Sequence, residues 1–238
     1  TEETETKATD VSKVILITDS EYQVVSIDQS ITLPDYVFYP NSDTDKTAVE
    51  WTVDDLNVAE VATTTDANGK ISGTIKAKAA GVAVVKLHVV GKTEVNAAFR
   101  LIVRPTNEPK NCKADATYNS VSLSWSPVAD ANGYTITRKT EGEEKETVLA
   151  HVSGANTVSY LDESVQTGTK YIYHVYAYTQ YVDDKGQQQY ADTEKFATVT
   201  KTPQLSQAKL TSVAAEGCNS LTLIWDKVEG ADGYVVLR

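Results

Sequence analysis

The sequence has no methionine, only two cysteines (Cys112 and Cys218), three histidines and six prolines in 238 residues, and its 22 Lys and Arg are outnumbered by 33 Asp and Glu. Each shortage excludes something. Two cysteines cannot staple a disulfide-dense scaffold, so the fold must rest on apolar cores. A net charge of −11 with no basic cluster leaves no face for a phosphate backbone, and no nucleic acid partner is expected. Apolar runs such as Val14–Ile17 fall far short of the ~20 residues a membrane-spanning helix needs. With Thr1 at its head and no methionine, the chain is expected to be a processed or excised segment, with any signal peptide upstream.

The scarcity extends to chemistry. His88, His151 and His174 have no second His, Cys or carboxylate at metal-ligand spacing, and strand alternation turns His88 and His174 outward. There is no Gly-x-Ser-x-Gly, His-Glu-x-x-His, phosphate-binding glycine loop or Cys/His nucleophile pair. No catalytic residue, cofactor or metal site is expected. The acidic stretches Glu141–Glu146 and Asp43–Asp45 are read as solvated turns, with adventitious calcium as the alternative.

What is present is alternation with a period of two. Val121–Trp125, Tyr134–Thr137, Tyr171–Ala177 and Val85–Val89 all alternate apolar and polar residues, as strands with one face on a core do. Turn pairs such as Asn68-Gly69, Ser153-Gly154 and Lys185-Gly186 separate them. The class is all-β, tandem Ig-like β-sandwiches in a beads-on-a-string rod. Proline-bearing stretches at Arg104–Lys110 and Lys201–Gln204 mark junctions, because proline cannot donate to a ladder.

The strongest signal is an internal repeat. Asn119–Arg138 aligns without gaps on Asn219–Arg238, an offset of 100 residues, with nine of twenty positions identical, including Trp125/Trp225 and Gly133-Tyr134/Gly233-Tyr234. A period of this length is a whole sandwich. The expected division is a flexible lead-in at 1–10, a sandwich at 11–105, a second at 106–203, and strands A to C of an incomplete third at 204–238. The last piece lacks the strands that complete two sheets, so either the chain is cut short or a neighbouring molecule complements it by strand addition.

At Trp125, Gly133-Tyr134-x-Ile136 and Tyr171-x-Tyr173-x-Val175-x-Ala177 the chain resembles the fibronectin type III family. The resemblance implies that Tyr171 is a tyrosine corner and that Trp125, Tyr134, Trp225 and Tyr234 are structural. Residues 11–105 resemble the bacterial Ig-like group 2 family in Phe38-Tyr-Pro40, Glu50-Trp51, Val58-Ala59-Glu-Val61, Asn68-Gly69, Ala80-Gly81 and Ala98–Val103, which implies that Trp51 packs between sheets. A buried thiol is expected at Cys112 in the first strand of one unit and an incidental one at Cys218 in the turn after the first strand of the next, at poles too far apart to bridge.

One segment is a candidate ligand surface. Tyr178–Tyr190 is long for the connection between strands F and G, and long loops carry function. Tyr176, Tyr178, Tyr181 and Tyr190 are expected to cluster on one edge, suited to a surface glycan or host protein, or else merely to cover the sheet. Together these features imply a non-catalytic extracellular segment, a spacer and adhesion scaffold of a bacterial cell-surface or cell-wall protein. The alternatives are accessory modules of a secreted polysaccharide-degrading enzyme or peptidase, or an adhesin binding host glycan or protein through its own loops.

Overall fold

The computed structural model describes residues 11–40 and 47–237. The lead-in, the Asp43–Asp45 stretch and Arg238 lie outside the described residues. Among those described there is no helix, so none is long and apolar enough to cross a membrane, and the chain is all-β.

The first core is built by β1 (Lys13–Ile17), β2 (Tyr22–Ser26), β3 (Ser30–Thr32), β4 (Asp35–Tyr39), β5 (Val49–Val53), β6 (Ala59–Thr65), β7 (Ile71–Ala77), β8 (Gly81–Val89) and β9 (Lys92–Arg104). One sheet has the order β2-β9-β8-β5; β3-β7-β6 and the β1-β4 pair form the other ladders. Alternation decides which side chains face inward. Val85, Leu87 and Val89 are buried while Lys86 between them is exposed. Trp51 sits in this core, edge-on to Phe99 and Tyr36 at 6.5 Å each. β2 pairs with β9 in parallel, Tyr22–Ser26 alongside Arg100–Arg104, so the strands by which the chain enters and leaves lie side by side.

The second core has the sheet β10 (Lys110–Ala116), β11 (Val121–Ser126) and β14 (Ser159–Asp162) on one side. On the other lie β13 (Thr147–Ser153), β12 (Gly133–Thr140), β15 (Tyr171–Val182) and β16 (Gln188–Asp192), with β17 (Ala197–Lys201) also on β15. Val121, Leu123 and Trp125 pack against Tyr134, Ile136, Tyr173, Val175 and Ala177. Tyr171 forms the expected corner, its hydroxyl accepting from Gln166 N–H at 3.0 Å. A buried network ties the sheets together: Arg138 Nη1 donates to Asp162 Oδ2 at 2.6 Å, Tyr173 donates to the same oxygen at 2.9 Å, and Ser164 N–H and Oγ–H hold Oδ1. Burial pushes the Asp162 carboxyl up, but these donors outweigh it and hold it below the usual range.

The third segment contributes one antiparallel pair, β18 (Leu210–Ala215) and β19 (Leu221–Trp225). The strand expected around Tyr234 does not form, and Gly233–Leu237 have no ladder partner. Its counterpart β12 is central, paired to β13 on one side and β15 on the other. Without such neighbours an extended backbone has no ladder to join.

Candidate functional site

The segment expected as a long loop is largely strand. β15 runs to Val182, and the ladder continues from Tyr178↔Asp192 to Val182↔Gln188. The turn is short, closed by Asp183 N–H to Gln187 O at 2.8 Å, with the Asp183 carboxylate accepting from Lys185 and Gln187 N–H. The apparent excess length arises because the last strand is broken between Asp192 and Ala197: β16 extends the hairpin while β17 completes the sheet body.

The four candidate tyrosines do not form one edge cluster. Tyr178 lies on the outer face of the sheet as alternation demands, but it is fully buried there. Its hydroxyl donates to Val152 O at 3.2 Å, and its ring lies over Gly133, where no Cβ would fit. Tyr190 stacks on His151, centroids 3.7 Å apart and planes 5° apart, and meets Tyr178 edge-on. Tyr176 belongs to a separate group with Phe196 and His174. Tyr181 faces another way and packs on Tyr22 of the first sandwich, centroids 5.5 Å apart. Only Tyr178 and Tyr190 are therefore brought together.

Polar side chains sit beneath this aromatic cover. Thr135 Oγ1 donates to Asp192 Oδ1 at 2.6 Å and lies 3.0 Å from His151 Nδ1. Burial raises the Asp192 carboxyl and lowers the His151 imidazole, so both lean toward their neutral forms. Beside them Glu146 accepts from Thr137 Oγ1 and contacts His174 Nδ1 at 2.7 Å. Thr135 and Thr137 are buried where alternation predicts exposure, because the rings cover them. Thr135 is 1% exposed, so its hydroxyl is closed off from solvent beneath the rings. Among the described residues no group of three or more His, Cys, Asp or Glu could hold a metal.

The hairpin instead reaches the first sandwich. Arg100 on β9 donates to Val182 O and pairs with Asp184 in the hairpin turn. Arg104 pairs with Glu194, leans on Asp192 O at 3.5 Å, and donates from Nε to Ser26 Oγ at 3.0 Å. Thr179, 1% exposed, donates to Val103 O at 2.7 Å. Ile102 stands between the two arginines on the outer face of β9 and is fully buried without belonging to the first core. Sequence reasoning missed this joint. The available signal was an apolar Ile102 flanked by Arg100 and Arg104 on the face that alternation assigns to solvent.

A second junction joins the middle sandwich to the third segment. The Tyr118 ring of the middle sandwich lies against Gly230, and within the sandwich Thr167 Oγ1 donates to Tyr118 O at 2.5 Å while Gly168 N–H donates to Pro203 O at 2.8 Å where the sandwich ends. A cleft of about 630 Å³ opens here, lined by Tyr118, Asn119, Lys201, Gln204 and Glu229 among others. Cys112 is half-buried on β10, its thiol pushed up by burial, and Cys218 is exposed in the turn between β18 and β19.

No curated protein matches the chain. Among solved structures, an Fn3-like protein from Clostridium thermocellum is 28% identical, with 43% of this chain and 98% of that chain covered and a TM-score of 0.30. Domains A168–A170 of titin are 14% identical, covering 81% and 66%, with a TM-score of 0.37. The fn3 domain of human contactin 1 is 16% identical, covering 44% and 83%, with a TM-score of 0.34. Within a chain of β-sandwiches, residues 107–191, which hold Trp125, Tyr134 and Tyr171, match the family model of the fibronectin type III domain.

Proposed function

We propose that this modular β-sandwich segment is a non-catalytic extracellular spacer and adhesion scaffold of a bacterial cell-surface protein, with residues 11–105 a bacterial Ig-like group 2 unit. The observation that carries the spacer reading is the hairpin joint. A linker alone would leave two sandwiches to swivel, whereas here two arginines, a buried threonine hydroxyl and a tyrosine pair bind the second to the first. The hairpin that would otherwise present a ligand loop is occupied as a strut. A negative net charge suits solubility outside the cell, and apolar cores stand in for disulfides.

The test is a distance distribution between spin labels at the exposed Asn68 and Glu143, in a chain carrying Cys112→Ala and Cys218→Ala. A narrow distribution that broadens in Arg100→Ala/Arg104→Ala is expected. A distribution already broad in the parent chain would sink the reading, and saturable binding of the parent chain to a glycan or host-protein array would replace it with an adhesin acting through its own surface.

A further inference from the structure

The first sandwich is entered through β1 and β2 and left through β9, and β2 and β9 are parallel neighbours in register from Tyr22↔Arg100 to Ser26↔Arg104. Tension reaches β9 directly through its C-terminus, and it reaches β2 through its N-terminus once β1 has parted from β4. The two forces oppose one another along the strand axes, across hydrogen bonds that lie between the strands. Such bonds share the load and must fail together, whereas a hairpin opened at its ends fails one pair at a time. Among the described residues the middle sandwich has no parallel ladder between its first and last strands: β10 pairs with β11 and β17 with β15.

Both ends of the β2–β9 ladder are also covered by the neighbouring hairpin. At the Tyr22↔Arg100 end, Tyr181 packs on Tyr22, and Val182 O and Asp184 take Arg100. At the Ser26↔Arg104 end, Arg104 bridges Ser26 Oγ on β2 to Glu194 beyond β16. Ile102 is sealed between them. We propose that the β15–β16 hairpin of the second sandwich splints a shear-loaded ladder in the first, making the pair a tension-bearing unit in which the mechanical lifetime of one domain depends on the next.

The proposal rests on the spacer reading only in supposing that the chain carries load. Constant-force extension of the full chain tests it, with a glycine-rich insertion in the exposed Asn68-Gly69 turn to lengthen, and so mark, the unfolding step of the first sandwich. Asp184→Ala/Glu194→Ala removes the splint's carboxylates without touching the ladder. It is expected to shorten the marked step's lifetime under load about tenfold, equivalent to ~1.4 kcal/mol on the barrier, with a smaller change in unfolding by urea without load. An unchanged lifetime, or the same factor with and without load, overturns the splint. Since Arg100 N–H donates to Glu21 O, the parallel pattern aims Gln23 N–H at β9. Gln23→Pro should therefore abolish the long-lived step, and its survival there overturns the shear ladder. If spin-label distances sink the rigid joint, this second arm still decides the ladder.

Discussion

Asn119–Arg138 and the segment from Asn219 onward set one repeated pattern, nine of twenty residues identical, in two surroundings, and only part of the structure is the same. In both, a tight turn leads from one strand of a hairpin into the next, a Trp meets a Tyr at 5.2 Å between centroids, and that Tyr hydroxyl accepts from a backbone N–H six residues earlier, Val128 or Val228. Val128 and Val228 are equally buried, at 5% and 6%. Everything beyond six residues differs. Tyr134 is fully buried and donates onward to Ala155 O, whereas Tyr234 is 40% exposed. Val121 is fully buried, while its counterpart Leu221 is 69% exposed. The local corner is encoded by about twenty residues; strand and core are conferred by β13, β14 and β15, which no described residue supplies to the second copy.

The largest expected break in this comparison is at the tryptophans. Trp125→Ala should destabilise the middle sandwich by about 3–5 kcal/mol, the usual penalty for emptying an aromatic site in a packed core. Trp225→Ala should leave urea unfolding of that sandwich unchanged, because its ring packs only within an open hairpin. A comparable loss from both substitutions would mean that the second copy is buried in solution.

Next comes the Arg138–Asp162 pair, of which the sequence marks only Arg138, as the last residue of the repeat. Asp162→Ala leaves the part-buried Arg138 guanidinium and the buried Tyr173 hydroxyl without their shared acceptor and should destabilise by about 3 kcal/mol. The pH dependence has a definite sign. Because the folded carboxyl titrates below its unfolded value of ~3.9, its contribution is fully present above that value and is lost as pH falls through the lowered folded one. Thermal unfolding of the parent chain should therefore weaken steeply below about pH 4, and the slope should flatten in Asp162→Asn. An unaltered slope would assign the acid sensitivity elsewhere.

The tyrosine hydroxyls give a smaller contrast. Tyr134→Phe leaves a buried Val128 N–H and Ala155 O without their partner and should cost about 1–3 kcal/mol in urea unfolding. Tyr234→Phe loses one bond beside solvent, where water replaces the hydroxyl, and should have a much smaller effect, read as amide exchange at Val228. Equal effects would contradict the solvent access seen at Tyr234.

These differences also separate what was legible in the sequence from what was not. Alternation at Val85–Val89 and Val121–Trp125 is local, so the all-β class and the facing of the cores could be read directly. Trp51 and Trp125 lie in the two cores, and the Tyr171 hydroxyl accepts from Gln166 N–H. The β15–β16 hairpin was misread as a loop because the break between Asp192 and Ala197 conceals that two strands share one partner. Alternation turns Tyr176 and Tyr178 away from the core, but what meets them there, Phe196 with His174 and Tyr190 with His151, comes from other strands, and Tyr181 is met by Tyr22 of another domain. Alternation gives the direction of a side chain and says nothing about what meets it there.

The smallest effect lies where the two copies diverge in the same turn. Asp130 adopts φ 63° and Gly230 occupies the equivalent position at φ 78°. Aspartate is thus already tolerated in this left-handed turn, so Gly230→Asp should add little backbone strain of its own. A Cβ at Gly230 would, however, meet the Tyr118 ring, which must move and loosen the second junction. The expected loss is about 0.5–1 kcal/mol, and in a Tyr118→Ala background it should nearly vanish, giving a coupling of the same size in a double-mutant cycle. Additive effects would mean that the Tyr118 contact contributes nothing and that glycine stands in the second copy for its backbone alone.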